Sequence, residues 1–171
     1  EMWIEALKEA GALAENFQTV AYSYIGPELT YPIYTNGTIG KAKEHLEESV
    51  ARMNAEFGDS TAYVSVNKAL VTQASSAIPV VPLYIPLLYK VMKEADLHGG
   101  CIEQIQRLFA DHLSSGEAIA TDERGRIRID DWEMKDHVQA SVMEAWEKVT
   151  TDNLSEFSDF SGYKTEFLRL F

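Results

Sequence analysis

The chain has 171 residues, 46% of them apolar and 25% charged, and a net charge of −12. That is enough for one well-buried domain of ordinary globular composition. An acidic balance with no long run of Lys or Arg excludes nucleic acid, because phosphate neutralisation needs clustered cations. The one cysteine, Cys101, excludes an internal disulfide and points to a reducing, cytoplasmic setting.

Met2 to Leu13 reads as an amphipathic helix with Trp3, Leu7, Ala10 and Leu13 on one face and Gly11 loosening its end. It has no apolar core of the kind a signal peptide carries. Phe17 to Tyr22 is short, β-branched and aromatic, and reads as a strand. Gly26, Pro27, Pro32, Asn36 and Gly37 mark the next segment as loop. Thr38 to Phe57 is the clearest helix. Ile39, Ala42, Leu46, Val50, Met53 and Phe57 form one continuous stripe, and Gly58 closes it. Thr61 to Val66 is a second strand. The order strand–helix–strand predicts a right-handed parallel crossover and an α/β sheet.

The region Ala69 to Met92 is the most apolar, but Gln73, Ser75, Ser76 and three prolines interrupt it. A membrane span needs ~20 apolar residues without such breaks, so none is expected. A loop is expected there, followed by a buried helix from Leu83 to Glu94 with Pro86 in its first turn. Cys101 to Leu113 is another amphipathic helix. Glu117 to Arg126 is polar loop, and Ile127 and Ile129 form a short extended segment. Asp131 is the expected N-cap of a helix carrying Met134, Val138, Val142, Ala145 and Val149. Asn153 to Gly162 reads as loop, with a last short helix after it. Helices dominate beyond residue 80, so the remainder of the sheet is expected outside this chain. The uncapped opening and the apolar end at Leu168 to Phe171 mark the chain as a piece of a longer protein.

Two features carry chemistry. On a helical wheel with Ile39 at the origin, the stripe lies within about 60° of it, and Lys43 sits at about 40°. Lys41 points to about 200° on the same wheel, toward solvent. A lysine on the core face must snorkel, pair with an acid or serve a site. The second feature is Tyr22, Tyr24, Tyr31 and Tyr34, which crowd the loop just before this helix. Each of them can be simple aromatic packing with its hydroxyl at the surface. A phenol beside an ammonium is also a workable acid, because a nearby cation favours the phenolate and lowers its pKa. Tyr34 lies nearest the helix start, where the backbone adds positive potential.

Other candidates are weaker. Gly37 to Lys41 fails as a phosphate loop, since Thr35 and Ala42 stand where Gly and Ser or Thr are required. His45, His98, His112 and His137 fall on expected surfaces without metal spacing, so no metal is expected. Cys101 reads as a buried structural cysteine, Ser75 and Ser76 lack a base, and Asp130-Asp131 reads as a cap and its neighbour.

Several stretches together resemble a known family. They are A-Y-S-Y-I-G-P-E (21–28), Tyr34-x8-Lys43 with G-T-I-G inside it, V-T-Q-A-S-S-A-I-P (71–79), L-Y-K-V-M-K-E (88–94), G-C-I-E-Q (100–104) and R-I-R-I-D-D-W-E (126–133). The chain resembles, over essentially its whole length, the NADH-dependent trans-2-enoyl-CoA reductases, including the bacterial enoyl-acyl-carrier-protein reductases of the FabV type. The spacing of Tyr34 and Lys43 separates this family from other reductases of the short-chain-dehydrogenase kind. The resemblance implies the later part of a Rossmann fold of that kind, followed by a mainly helical region. Residues 1–125 would be the catalytic part, and 126–171 the start of the C-terminal helical segment. The N-terminal dinucleotide loop would lie outside this chain.

The implied reaction is reduction of the trans-2,3 double bond of an enoyl thioester by hydride from NADH, in fatty acid synthesis. The implied partners are an acyl thioester, on CoA or acyl-carrier protein, and the missing N-terminal part, with the intact protein a monomer. Tyr34 would donate the proton. Lys43 would bind the nicotinamide ribose and tune Tyr34. Tyr24 would bind substrate, and Leu70, Val71 and Thr72 would contact the nicotinamide end of the cofactor. The resemblance extends to a C-terminal flavin-binding segment, but no residue here shows one, so FAD is a doubtful cofactor. The apolar run Ile78 to Met92 would wall the acyl pocket, or serve only as a core helix. The competing reading is a non-catalytic α/β fragment that binds lipid or a partner through that same run.

Overall fold

A computed structural model describes residues 1–58 and 62–171. A first helix, α1 (Met2–Glu9), leads to strand β1 (Thr19–Ser23). A single turn, α2 (Tyr31–Tyr34), and the long helix α3 (Thr38–Phe57) connect β1 to β2 (Ala62–Val66). The expected start of this second strand at Thr61 lies outside the described residues. Next come α4 (Val81–Glu94), α5 (Cys101–Arg107) with a π-helical turn at Leu108–Leu113, and β3 (Arg126–Arg128). The helices α6 (Asp136–Lys148), α7 (Leu154–Phe157) and α8 (Phe160–Leu168) complete the chain.

The sheet is parallel throughout, in the order β1-β2-β3. Its registers pair Val20 with Tyr63 and Ser65 with Ile127. The expected α/β crossover is present, because α3 runs between two parallel strands and packs Val50 and Met53 onto Val64 and Val66. β2 is buried along its whole length, as a central parallel strand must be. The third strand comes from the segment read as a short extended piece, so the sheet crosses the expected boundary at 125/126.

α4 is the hub of the rest. Tyr84, Leu87, Leu88, Tyr89 and Met92 are fully buried, and α6 and α8 close over them with Val138, Val142 and Tyr163. This helix starts two residues earlier than its periodicity predicts. Pro82 occupies its first turn, where a missing N–H is harmless, and Pro86 lies inside the helix rather than at its start. Asp131 does not cap α6, which begins only at Asp136. Its carboxylate instead accepts from Arg107 at 2.9 Å. α1 stops at Glu9, and Gly11 beyond it has φ +63°. Among the described residues, no helix is long and apolar enough to cross a membrane.

Candidate active site

Ligand groups in parallel α/β sheets gather beyond the carboxyl ends of the strands, and here all three strands deliver a polar side chain to that end. Tyr24 follows β1, Lys68 follows β2 and Glu133 follows β3. Tyr24 is seated by Gly26, whose φ is +72° and at which a Cβ would strike the Tyr24 ring and Thr30. Tyr34 ends α2. Gly40, in the first turn of α3, lets the Thr35 carbonyl pack directly on the helix backbone, where any Cβ would overlap it. That close approach sets α2 against α3, and so sets Tyr34 against Lys43.

The predicted trio comes together. The Tyr24 and Tyr34 rings meet edge to face, with centroids 4.8 Å apart. The Lys43 ammonium lies 4.5 Å from the Tyr34 ring centre and 5.6 Å from that of Tyr24. Lys43 Nζ is buried and has no hydrogen-bond partner among the described residues. Burial holds this amine down to about 8, with Glu47 the weaker opposing influence. Lys41 points outward and pairs with Glu44 at 2.7 Å, so the two lysines have opposite environments as the wheel requires.

The expected tuning of Tyr34 is not what the geometry gives. The cation sits over the ring face, and the hydroxyl is pushed above its ordinary value, first by burial and then by the Glu133 charge. Tyr34 therefore keeps its proton at neutral pH.

Two cavities meet at these rings. A groove of about 520 Å³ is lined by Tyr22, Ser23, Ile39, Ala42, Lys43 and Leu46. On the other side is a cavity of about 220 Å³, with Leu70, Thr72, Ile78, Val81 and Ile85 in its wall. Tyr24 and Tyr34 line both. The apolar run before and into α4 thus supplies one wall. Val71 is instead buried beside Leu70 and Thr72, and its amide donates to the Tyr89 hydroxyl at 3.2 Å. Ser75 closes a turn with Thr72, where each backbone N–H donates to the other's hydroxyl.

Two residues of the site, Glu133 and Lys68, are not anticipated by the sequence. Glu133 is fully buried, and its Oε1 accepts from the Tyr84 hydroxyl at 2.7 Å and from the Tyr24 hydroxyl at 3.0 Å. Its Oε2 accepts from the Ala69 amide at 2.7 Å. Burial pushes the Glu133 carboxyl up against these hydrogen bonds, which hold it down, and pushes both tyrosines well up. Lys68 is buried as well. Its ammonium donates to the Ala69 carbonyl at 3.0 Å and lies over the Tyr89 ring, and burial brings its amine down to about 8. The available signal was position, since Lys68 and Glu133 each stand just past a β-branched run. His98 and Cys101 also depart from expectation. His98 is half-buried against Tyr89, with burial lowering it to about 4, and Cys101 is exposed.

The chain is similar to known proteins along its length. Residues 1–114 match the family model described as the trans-2-enoyl-CoA reductase catalytic region. The chain belongs to the trans-2-enoyl-CoA reductase family. An enoyl-[acyl-carrier-protein] reductase [NADH] of Cytophaga hutchinsonii is 64% identical over 99% of this chain and 43% of its own length. A trans-2-enoyl-CoA reductase of Euglena gracilis is 59% identical over 100% of the chain and 32% of its own length. The crystal structure of Treponema denticola trans-2-enoyl-CoA reductase in complex with NAD superposes with a TM-score of 0.93 at 53% identity, covering 98% of this chain and 42% of that one. The chain thus spans less than half the length of these trans-2-enoyl-CoA reductase relatives.

Residues 121–171 match a second model, described as an enoyl reductase FAD binding domain. Here that segment turns Val138, Val142 and Tyr163 onto α4. Among the described residues, none of its buried polar atoms lacks a partner. No step below runs through a flavin. The buried Lys43 Nζ, without a hydrogen-bond partner among the described residues, is a donor of the kind that a dinucleotide's ribose hydroxyls can accept.

Proposed function

We propose that the protein carrying this chain reduces the trans-2,3 double bond of an enoyl thioester, on CoA or acyl-carrier protein, with NADH, in cytoplasmic fatty acid synthesis. The observation that carries the reading is the Lys43 ammonium, buried without a hydrogen-bond partner among the described residues, in a groove that shares the Tyr24 and Tyr34 rings with the second cavity. A buried cation costs stability unless something occupies it, and a lipid- or partner-binding module has no use for one.

NADH, when bound, supplies hydride to C3 of the enoyl group. Lys43 binds the ribose hydroxyls from the groove side. Negative charge then develops on the thioester oxygen, and Tyr34, still protonated, donates its hydroxyl proton to it; return of that enol to the thioester with protonation at C2 completes the addition of hydride and proton across the double bond. Tyr24 donates its own proton to Glu133, so it offers the substrate a lone pair and a fixed ring edge rather than a second acid. Leu70 and Thr72 face the nicotinamide end, with Val71 anchoring them from beneath. The apolar wall of Ile78, Val81 and Ile85 takes the acyl chain and excludes water.

The test is NADH oxidation with crotonyl-CoA by the full-length protein. Tyr34→Phe and Lys43→Met are expected to lose turnover by ~10²-fold or more. Lys41→Ala is expected to stay near wild type. Full activity in the first two variants refutes the assignment.

A further inference from the structure

Lys43 has an acid one helical turn further on and does not use it. Residues four apart on a helix are neighbours, so Glu47 stands where it would pair with the Lys43 ammonium. Instead, its carboxylate turns to the third strand. Arg126 Nη1 reaches Glu47 Oε1 at 3.2 Å, and Arg124 Nη2 reaches Oε2 at 2.5 Å. Arg126 is itself fixed, with its Nε and Nη2 donating to Asp122 Oδ2 at 2.9 and 2.7 Å. Only 12% of the Arg126 side chain and 17% of the Glu47 side chain are exposed, so solvent weakens this contact little. Two guanidinium groups, one on each carboxylate oxygen, outcompete a single ammonium for the carboxylate. A Lys that precedes its Glu on a helix is also the weaker of the two orientations.

We propose that Arg124 and Arg126 are positioning residues for Lys43. By drawing Glu47 to the sheet, they keep the lysine ammonium free of an intrahelical partner and open to a bound ribose. The inference rests on the reading of Lys43 as a cofactor-binding group. The other groups facing that ammonium are the rings of Tyr24, beyond β1, and Tyr34, on α2. Glu47 is the one charged group that raises its pKa. The C-terminal segment thereby acts on the cofactor groove without touching it.

The test measures Lys43 itself. In the full-length protein, limiting acetylation across pH followed by mass spectrometry reports the protonation of that amine. Arg126→Gln is expected to move its midpoint up by at least one pH unit, ~fivefold less acetylation near pH 8, as Glu47 turns back onto Nζ. Arg124→Gln, at a largely exposed site that does not threaten folding, is expected to give a smaller rise. Adding Glu47→Gln is expected to abolish both. The affinity for NADH is expected to fall severalfold in Arg126→Gln and to return in Arg126→Gln/Glu47→Gln. Midpoints that stay at wild-type values, or rises that survive Glu47→Gln, overturn the proposal. A rise in midpoint with unchanged NADH affinity upholds the positioning and refutes the role given to Lys43.

Discussion

Lys43→Met is expected to stabilise the protein while abolishing its activity. Burial lowers the Lys43 amine from 10.5 to about 8. Each pH unit between folded and unfolded values corresponds to about 1.4 kcal/mol, so the gap represents ~3 kcal/mol of unfavourable burial. The side chain is only half-buried, and solvent at the groove mouth screens about half of this, leaving ~1.5–2 kcal/mol. The sign follows from proton counting. Between about 8 and 10.5 the unfolded chain holds the lysine proton more tightly than the folded one. The penalty is therefore complete below the folded value and fades as pH rises toward the unfolded value. Urea unfolding of wild type and Lys43→Met near pH 6.5 and pH 9.5 checks this. The variant is expected to be the more stable at the lower pH, with its advantage reduced by about a third or more at the higher. An advantage that does not change with pH, or a variant less stable near pH 6.5, refutes the account of Lys43 as an ammonium held at a cost for binding.

Two further outcomes test the frame around the site. Glu133→Gln keeps the shape but places an amide N–H₂ among the Tyr24, Tyr84 and Ala69 donors. A loss of about 1–3 kcal/mol in urea unfolding is expected, together with a raised KM for the enoyl thioester as Tyr24 loses its anchor; an unchanged KM would mean that the anchor matters only to the core. Gly40→Ala puts a methyl group into the Thr35 carbonyl, so α2 must move away from α3. Turnover is expected to fall at least tenfold while the helical circular dichroism stays near wild type, because one turn moves and α3 remains. Wild-type turnover would show that the α2–α3 approach does not position Tyr34.

What the sequence could reveal divides along a physical line. Period reports that a side chain is buried, and so it found α3 to the residue and separated Lys43 from Lys41. It does not report which distant segment does the burying. Pro86 was misplaced because helix α4 begins at Val81, after Val80 adopts φ +74°, a turn that hydrophobic spacing does not encode. Asp131 looked like a cap because a small acid before an apolar stripe usually is one. Its partner, Arg107, is brought to it by the packing of α5. Local reasoning also assigned Tyr34 a cation at its hydroxyl. The fold instead puts that cation over the ring and a buried carboxylate within electrostatic reach.

The same line explains why the supporting residues were missed. Glu133 is 109 residues from Tyr24 and 64 from Ala69, and Arg126 is 79 from Glu47. Each of these links runs from the segment after residue 121 back into the first seventy residues, two of them to the tyrosine–lysine region and one to the turn after β2, and no spacing within either part specifies it. A charged residue out of pattern is visible in a sequence, whereas the group that holds it, or holds its competitor away, is a property of the closed sheet. Tyr34 and Lys43 could therefore be named before the fold was known. The residues that leave Lys43 unpaired could not, and that condition decides whether a phenol and an amine form a site or only a contact.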